Sequence, residues 1–298
     1  MKVASVCAFM GMATCIKLAG QLPPGQIVFF RSFFAILPII AWLSWTHGLT
    51  GVWRTQRPLS HIARGVVGVT AMSLGFYGLT RLPLPDATAI GYARPLMTVI
   101  FGAIFLGEVV RLYRWAAVLV GLVGVLLISW PNLQAFRDGN LNDTQALGAA
   151  AVFASACIAA LAFVLVRKLI QTEKTPTIVL YFSVTASTLA LATIPFGWSP
   201  LTGFQIVSLV AAGGFGGLGQ ILLTEGYRHA DTATIAPFEY TSVILSIAIG
   251  IVVFAEFPTG WTIAGSVVVI ASGIFIIYRE HRLGLKRKKD RQFVTPQG

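Results

Sequence analysis

Charged and hydrogen-bonding side chains inside long apolar stretches carry whatever chemistry this chain performs. Arg94 stands about ten residues into one such stretch, and Glu239 occupies the matching place 145 residues later. An ionised side chain at the centre of a bilayer costs about 2.5 to 3.5 kcal/mol on insertion scales, so it faces a cavity or a partner. Arg31 lies five residues into another stretch, and Tyr77, Tyr92, Tyr240 and Gln220 add aromatic faces and hydrogen-bonding groups. The set suits reversible binding of a small polar or amphipathic solute. Glu239 is the one acidic residue well inside a span, which makes it the candidate carboxyl to titrate during a transport cycle. Bond-breaking chemistry has no comparable set. The histidines His47, His61, His229 and His281 fall at or beyond helix ends, and no paired aspartates stand at metal spacing. Cys7, Cys15 and Cys157 lie in apolar stretches without a CxxC. The chain therefore reads as neither an enzyme nor a metal or cofactor protein.

The elements that must position these residues are membrane spans. Of the residues, 56% are hydrophobic and 11% charged, against roughly a quarter charged in a soluble domain. Ten apolar stretches run over 3–20, 26–45, 62–80, 85–106, 115–130, 146–166, 176–196, 204–224, 233–255 and 261–278. Most approach the roughly 20 residues that a bilayer-crossing helix needs. The first has only Lys2 ahead of it and no cleavage pattern before Pro23-Pro24, so it reads as a retained helix rather than a secretory signal.

The same landmarks recur in order. Lys17-Leu18 returns as Lys168-Leu169, residues 27–32 as 178–183, Asp86-Ala87-Thr88-Ala89-Ile90 as Asp231-Thr232-Ala233-Thr234-Ile235, and Glu108 as Glu256. An odd number of spans per copy turns the second copy upside down. The expected fold is an all-α polytopic membrane protein with ten transmembrane helices, built as two inverted five-helix repeats. Residues 1–130 form the first repeat, 131–145 an outward loop, 146–278 the second repeat and 279–298 a basic cytoplasmic tail.

Charge placement orients this frame. The inward connections and tail hold 17 basic groups, Lys2, Arg57, Arg64, Lys168 and Lys174 among them, and the outward loops hold only Arg81 and Arg137. That bias predicts N-in and C-in, because basic loops are retained in the cytoplasm. The net charge of +11 thus requires no nucleic-acid partner. The run Leu285-Lys286-Arg287-Lys288-Lys289 suits a topology anchor or contact with anionic lipid.

Gly214-Phe215-Gly216-Gly217-Leu218-Gly219 fits the dinucleotide-binding spacing, and Glu239 lies 20 residues beyond it. The run sits inside an apolar stretch with no βαβ unit, so it is read as helix packing through Gly213 and Gly217. Arg94 and Glu239 have similar depths, and they either pair beside the transport path, latch the halves together, or each find another partner. Arg31 either snorkels to the outer interface or points into an outward vestibule. Lys17 is placed to snorkel. Glu108 and Glu256 are placed to brace neighbouring helices.

The runs Pro85-Asp86-Ala87-Thr88-Ala89-Ile90, Pro95-Leu96, Leu106-Gly107-Glu108, Ala236-Pro237-Phe238-Glu239-Tyr240 and Phe254-Ala255-Glu256, with Arg31, resemble the EamA-type drug/metabolite transporter superfamily over nearly the whole chain. The resemblance implies a ten-helix bundle with a central cavity, alternating access and a place in the bacterial cytoplasmic (inner) membrane. It implies a small-molecule solute such as an amino acid, riboflavin or S-adenosylmethionine, with a multidrug or toxic-metabolite exporter, or a passive channel, as the alternatives. Membrane lipid surrounds such a protein, which is expected as a monomer or homodimer. Arg94 stands where such proteins more often carry a neutral residue.

Overall fold

A computed structural model gives the architecture and describes residues 1–46, 55–106, 111–137, 144–170, 172–173, 175–229, 239 and 241–293. Among these residues the chain is helical, without a strand. The helices are α1 (Lys2–Leu18), α2 (Pro24–Thr46), α3 (Pro58–Leu79), α4 (Leu84–Gly91), α5 (Ala93–Leu106), α6 (Leu112–Arg137), α7 (Thr144–Ile170), α8 (Thr175–Leu191), α9 (Gly203–His229), α10 (Thr241–Phe254) and α11 (Gly260–Phe293). Among the described residues, seven segments are long and apolar enough to cross a membrane, with Leu84–Phe105 counted as one, and Thr177–Leu191 and Thr241–Phe254 are shorter apolar helices.

Proline sets several helix starts. Pro24 and Pro58 open α2 and α3, where the missing N–H is not needed and the fixed φ suits the first turn. Proline also explains the main departure from the expected spans. The stretch 85–106 is divided into α4 and α5, with Tyr92 at the joint. Pro95 has no N–H to give the carbonyl of Gly91 four residues back, which frees the helix at that point.

The large helix contacts cross between the first and second halves of the chain. α3 packs on α7, α6 on α11, α1 and α2 on α9, and α2 on α8. Lipid offers little hydrophobic drive for helices to associate, so close approach through small residues has to supply contact area. A Cβ on Gly213 would meet Phe34 Cβ at 2.5 Å, and one on Gly217 would meet Pro38 Cγ at 2.5 Å. The glycine run of α9 is thus the groove into which α2 fits. Apolar side chains such as Leu119, Val120, Val123 and Leu126 remain exposed along α6, as suits a face turned to lipid.

Polar contacts sort the connections to two ends of the bundle. At one end Gln26 Nε2 donates to the Ser199 carbonyl at 2.9 Å, and Gln205 Nε2 donates to that of Ala19 at 3.0 Å. At the other, Thr55 Oγ1 and the Gln56 N–H donate to Glu173 Oε1 at 2.7 and 2.8 Å. The Thr55 hydroxyl bond, more than any other group, holds the Glu173 carboxyl below its ordinary range. Each set joins connections that an alternating up-and-down path brings to one side.

Candidate functional site

The α4–α5 joint aims Tyr92 across the bundle. Its hydroxyl donates to the Glu239 carbonyl at 2.5 Å and also shares a hydrogen bond with Ser242 Oγ. Lys2 Nζ donates to Glu239 Oε1 at 2.6 Å, with the Lys2 side chain 8% exposed and that of Glu239 38% exposed. Arg94, two residues past Tyr92, lies in an exposed position within electrostatic reach of Glu239. Tyr92, Pro95, Leu96, Glu239 and Val269 line a recess of about 130 Å³ beside them. The structure thus brings Tyr92 and Glu239 together, with Arg94 two residues past Tyr92. Glu239, however, forms an ion pair with Lys2, a residue that sequence reasoning used to orient the chain and to weigh a secretory signal, and not as part of a site.

A second charged cluster lies at the opposite end of α1. Lys17 Nζ lies 2.7 Å from Glu256 Oε1 and also donates to the Leu82 carbonyl. Glu256 Oε2 accepts the Leu84 N–H at 2.8 Å, placing a carboxylate on the positive N-terminus of α4. Thr262 Oγ1 donates to Asp86 Oδ1 at 2.6 Å in the same layer. Lys17 therefore does not snorkel to lipid; a carboxylate and a carbonyl hold it at 9% side-chain exposure. Ala255 turns the chain at φ 54°, and the Glu256 N–H bonds back to the Gly250 carbonyl at 2.8 Å. A non-glycine residue in that region costs roughly 1–2 kcal/mol, which the contacts of Glu256 offset. The repeat counterparts Glu108 and Asp231 and the Lys168 side chain lie outside the described residues, as does Tyr240.

Arg31 occupies neither end. It is 7% exposed, and its Nε is buried without a hydrogen-bond partner. A Cβ on Gly216 would come within 3.3 Å of that Nε and 3.0 Å of Met12 Sδ, so the bare glycine makes room for the guanidinium between α1, α2 and α9. Sequence reasoning counted Arg64 among the charges of an inner connection. It lies instead within α3, with its guanidinium carbon 3.8 Å from the centre of the Phe182 ring and its Nε and Nη1 buried without a partner. Its position six residues past Pro58 was the available signal. His61, one turn before Arg64, is 1% exposed, and its ring centre is 4.7 Å from that of Tyr181. Tyr77 lies under the Arg81 guanidinium, 3.5 Å from the ring centre to Cζ, and Gln220 sits half-buried on α9.

These arrangements can bind, shield and release charge, and they fit a membrane carrier. The model of the EamA-like transporter family matches residues 3–130 and again 146–279. The chain belongs to the EamA-like transporter family. It is a multi-pass protein of the bacterial cytoplasmic membrane and a transporter of small molecules. A relative from Rickettsia felis, an S-adenosylmethionine uptake transporter, is 28% identical over 276 residues, covering 92% of this chain and 90% of the relative. A pseudopaline exporter, CntI of Pseudomonas aeruginosa strain UCBPP-PA14, is 31% identical over 271 residues, with 89% and 90% covered. A solved structure titled only as that of a protein superposes with a TM-score of 0.62 at 22% identity, covering 90% of this chain and 94% of that one, and supports the fold.

Proposed function

We propose that this EamA-family chain moves a small organic metabolite by alternating access, through ten spans arranged as two inverted repeats with both termini in the cytoplasm. One observation carries the reading. α1 and the segment from Glu239 to Glu256 run side by side from opposite halves of the chain, and a lysine–glutamate pair closes each end of their seam. Opening one pair while the other holds exposes the interior to one side at a time. A fixed pore has no need of two such closures, and an enzyme reading finds no catalytic set in the sequence. The family match in two stretches, the 16 to 2 distribution of basic residues that remains once Arg64 is set aside, and the two-ended sorting of polar contacts support the topology.

Tyr92, Arg94 and Glu239, together with Tyr240 and Gln220, are the residues proposed to meet the solute near the seam, with Glu239 as the proton-coupling carboxyl. The relatives' printed solutes make S-adenosylmethionine the first compound to test, followed by amino-acid derivatives and riboflavin. The experiment is uptake of each labelled compound into proteoliposomes holding the full chain. Saturable uptake, competed by excess unlabelled compound, is expected for at least one of them. Flux that rises linearly with concentration for every compound contradicts the carrier. Glu239→Gln is expected to abolish accumulation driven by a pH gradient while leaving exchange intact; unchanged pH-driven accumulation removes Glu239 from the coupling role.

A further inference from the structure

Two arginines inside the bundle have no anion among the described residues. Arg31 stands seven residues from the start of α2 and Arg64 six from the start of α3, so they enter the interior from opposite ends, roughly 10 Å and 9 Å along their helices. Their helices pack on each other and both pack on α8, which carries Phe182. Among the described residues neither forms an ion pair or donates a hydrogen bond, and the two glutamates of the seam are already engaged by Lys2 and Lys17. The terminal nitrogens of Arg31 and Nη2 of Arg64 are not among the buried orphan atoms, so these unbonded donors reach accessible space. A protein that needed the charges only for packing would pair them, because an uncompensated buried charge is strongly destabilising.

The surroundings narrow what fills this need. A guanidinium presents parallel N–H groups whose spacing matches the two oxygens of a carboxylate. Phe182 covers one face of Arg64, and Tyr181 and His61 stack nearby, so the wall beside the cations is aromatic. That combination suits an organic acid whose carboxylate meets the arginines while its body lies on the rings. The scaffold does not require the site. The sequence repeat sets Phe182 at the counterpart of Arg31, so one copy supplies a cation where the other supplies a ring.

We propose that Arg31 and Arg64 together bind the carboxylate of the transported metabolite, which makes the solute class carboxylate-bearing organic molecules and excludes neutral vitamins such as riboflavin. The assignment rests on the transporter reading and goes beyond it in naming the recognised group. S-adenosylmethionine carries such a carboxylate, and its decarboxylated form differs from it in that group alone.

The test uses the full chain in detergent, melted in sodium acetate, sodium phosphate or sodium chloride at matched ionic strength, as wild type, Arg31→Gln and Arg64→Gln. Acetate is expected to raise the wild-type melting temperature saturably beyond chloride, since a ligand of the native state alone stabilises it. Either variant is expected to weaken the acetate response at least tenfold while melting, without acetate, at or above wild type. Arg31→Lys and Arg64→Lys keep the charge and lose the fork, and are expected to fold as wild type with a weakened response. The proposal is overturned if acetate does no more than chloride, if phosphate stabilises and acetate does not, if the variants respond like wild type, or if all four variants melt well below it. Uptake into proteoliposomes separates the two readings. Saturable uptake by a wild type that ignores acetate removes the carboxylate site and leaves the transporter, whereas uptake of S-adenosylmethionine with exclusion of its decarboxylated form supports both.

Discussion

Lys17 Nζ lies 2.7 Å from Glu256 Oε1, tying the last turn of α1 to the residue that follows the turn ending α10. Lys2 and Glu239, at 2.6 Å, tie the other end of the same seam. The two ion pairs, fifteen residues apart on α1 and seventeen apart along the segment from Glu239 to Glu256, thus sit at the two ends of the seam, where the proposed cycle needs its two closures.

Breaking one closure is expected to open only its own end. Ser246 is fully buried near the middle of α10 and can carry a reporter as Ser246→Cys, in a background free of Cys7, Cys15 and Cys157. With Lys17→Ala, a membrane-impermeant maleimide should label the reporter faster from the Lys17 side. With Lys2→Ala it should do so from the opposite side. Equal acceleration from both sides in either variant would show that the pairs are structural ties and not gates.

Glu256 carries more than its ion pair, and stability should show it. Removing one partner of a buried pair costs about 3 to 5 kcal/mol. Glu256→Ala also strips the Leu84 N–H of its acceptor, a further loss of about 1–3 kcal/mol. Unfolding free energies from detergent titration are expected to rank Glu256→Ala below Lys17→Ala, with Glu256→Gln recovering part of the difference. Equal losses for Glu256→Ala and Lys17→Ala would mean that the bond to α4 contributes nothing.

The glycines of α9 offer a paired comparison. A Cβ on Gly217 would lie 2.5 Å from Pro38 Cγ and 2.8 Å from the Ala35 carbonyl, whereas one on Gly214 would meet nothing within 4 Å. Gly217→Ala is expected to destabilise the fold by roughly 1–3 kcal/mol through overpacking. Gly214→Ala is expected to be neutral or to stabilise it by up to about 1 kcal/mol through helix propensity. Thermal melting in detergent compares the two, and similar shifts for both would place the α2 contact elsewhere.

That the chain crosses a membrane in many helices was legible because lipid demands length and apolarity, and the repeat was legible because Lys17, Asp86 and Glu256 have counterparts at steady offsets. Tyr92 and Glu239 stood out in the sequence as candidates, since polar groups deep in apolar runs need partners. The partners were not. A repeat offset aligns Arg94 with Glu239, but it does not reveal that Lys2 reaches Glu239 from a helix with a different neighbour, or that Lys17 crosses to Glu256. The break at Tyr92 had a signal in Pro95 and Gly91, four residues apart, which a count of apolar length passes over. Arg64 shows the same weakness from the other side. A basic residue near a helix start resembles a topology charge until packing turns it under Phe182.

A carrier whose seam opens at one end at a time is best distinguished from a pore by counterflow. Proteoliposomes preloaded with unlabelled S-adenosylmethionine, or with whichever compound shows saturable uptake, are diluted into a trace of the labelled compound. A carrier is predicted to give a transient overshoot of label above the final equilibrium, faster than uptake into empty vesicles. Uptake that rises monotonically at the same rate with and without preloading would contradict alternating access and leave a passive pore.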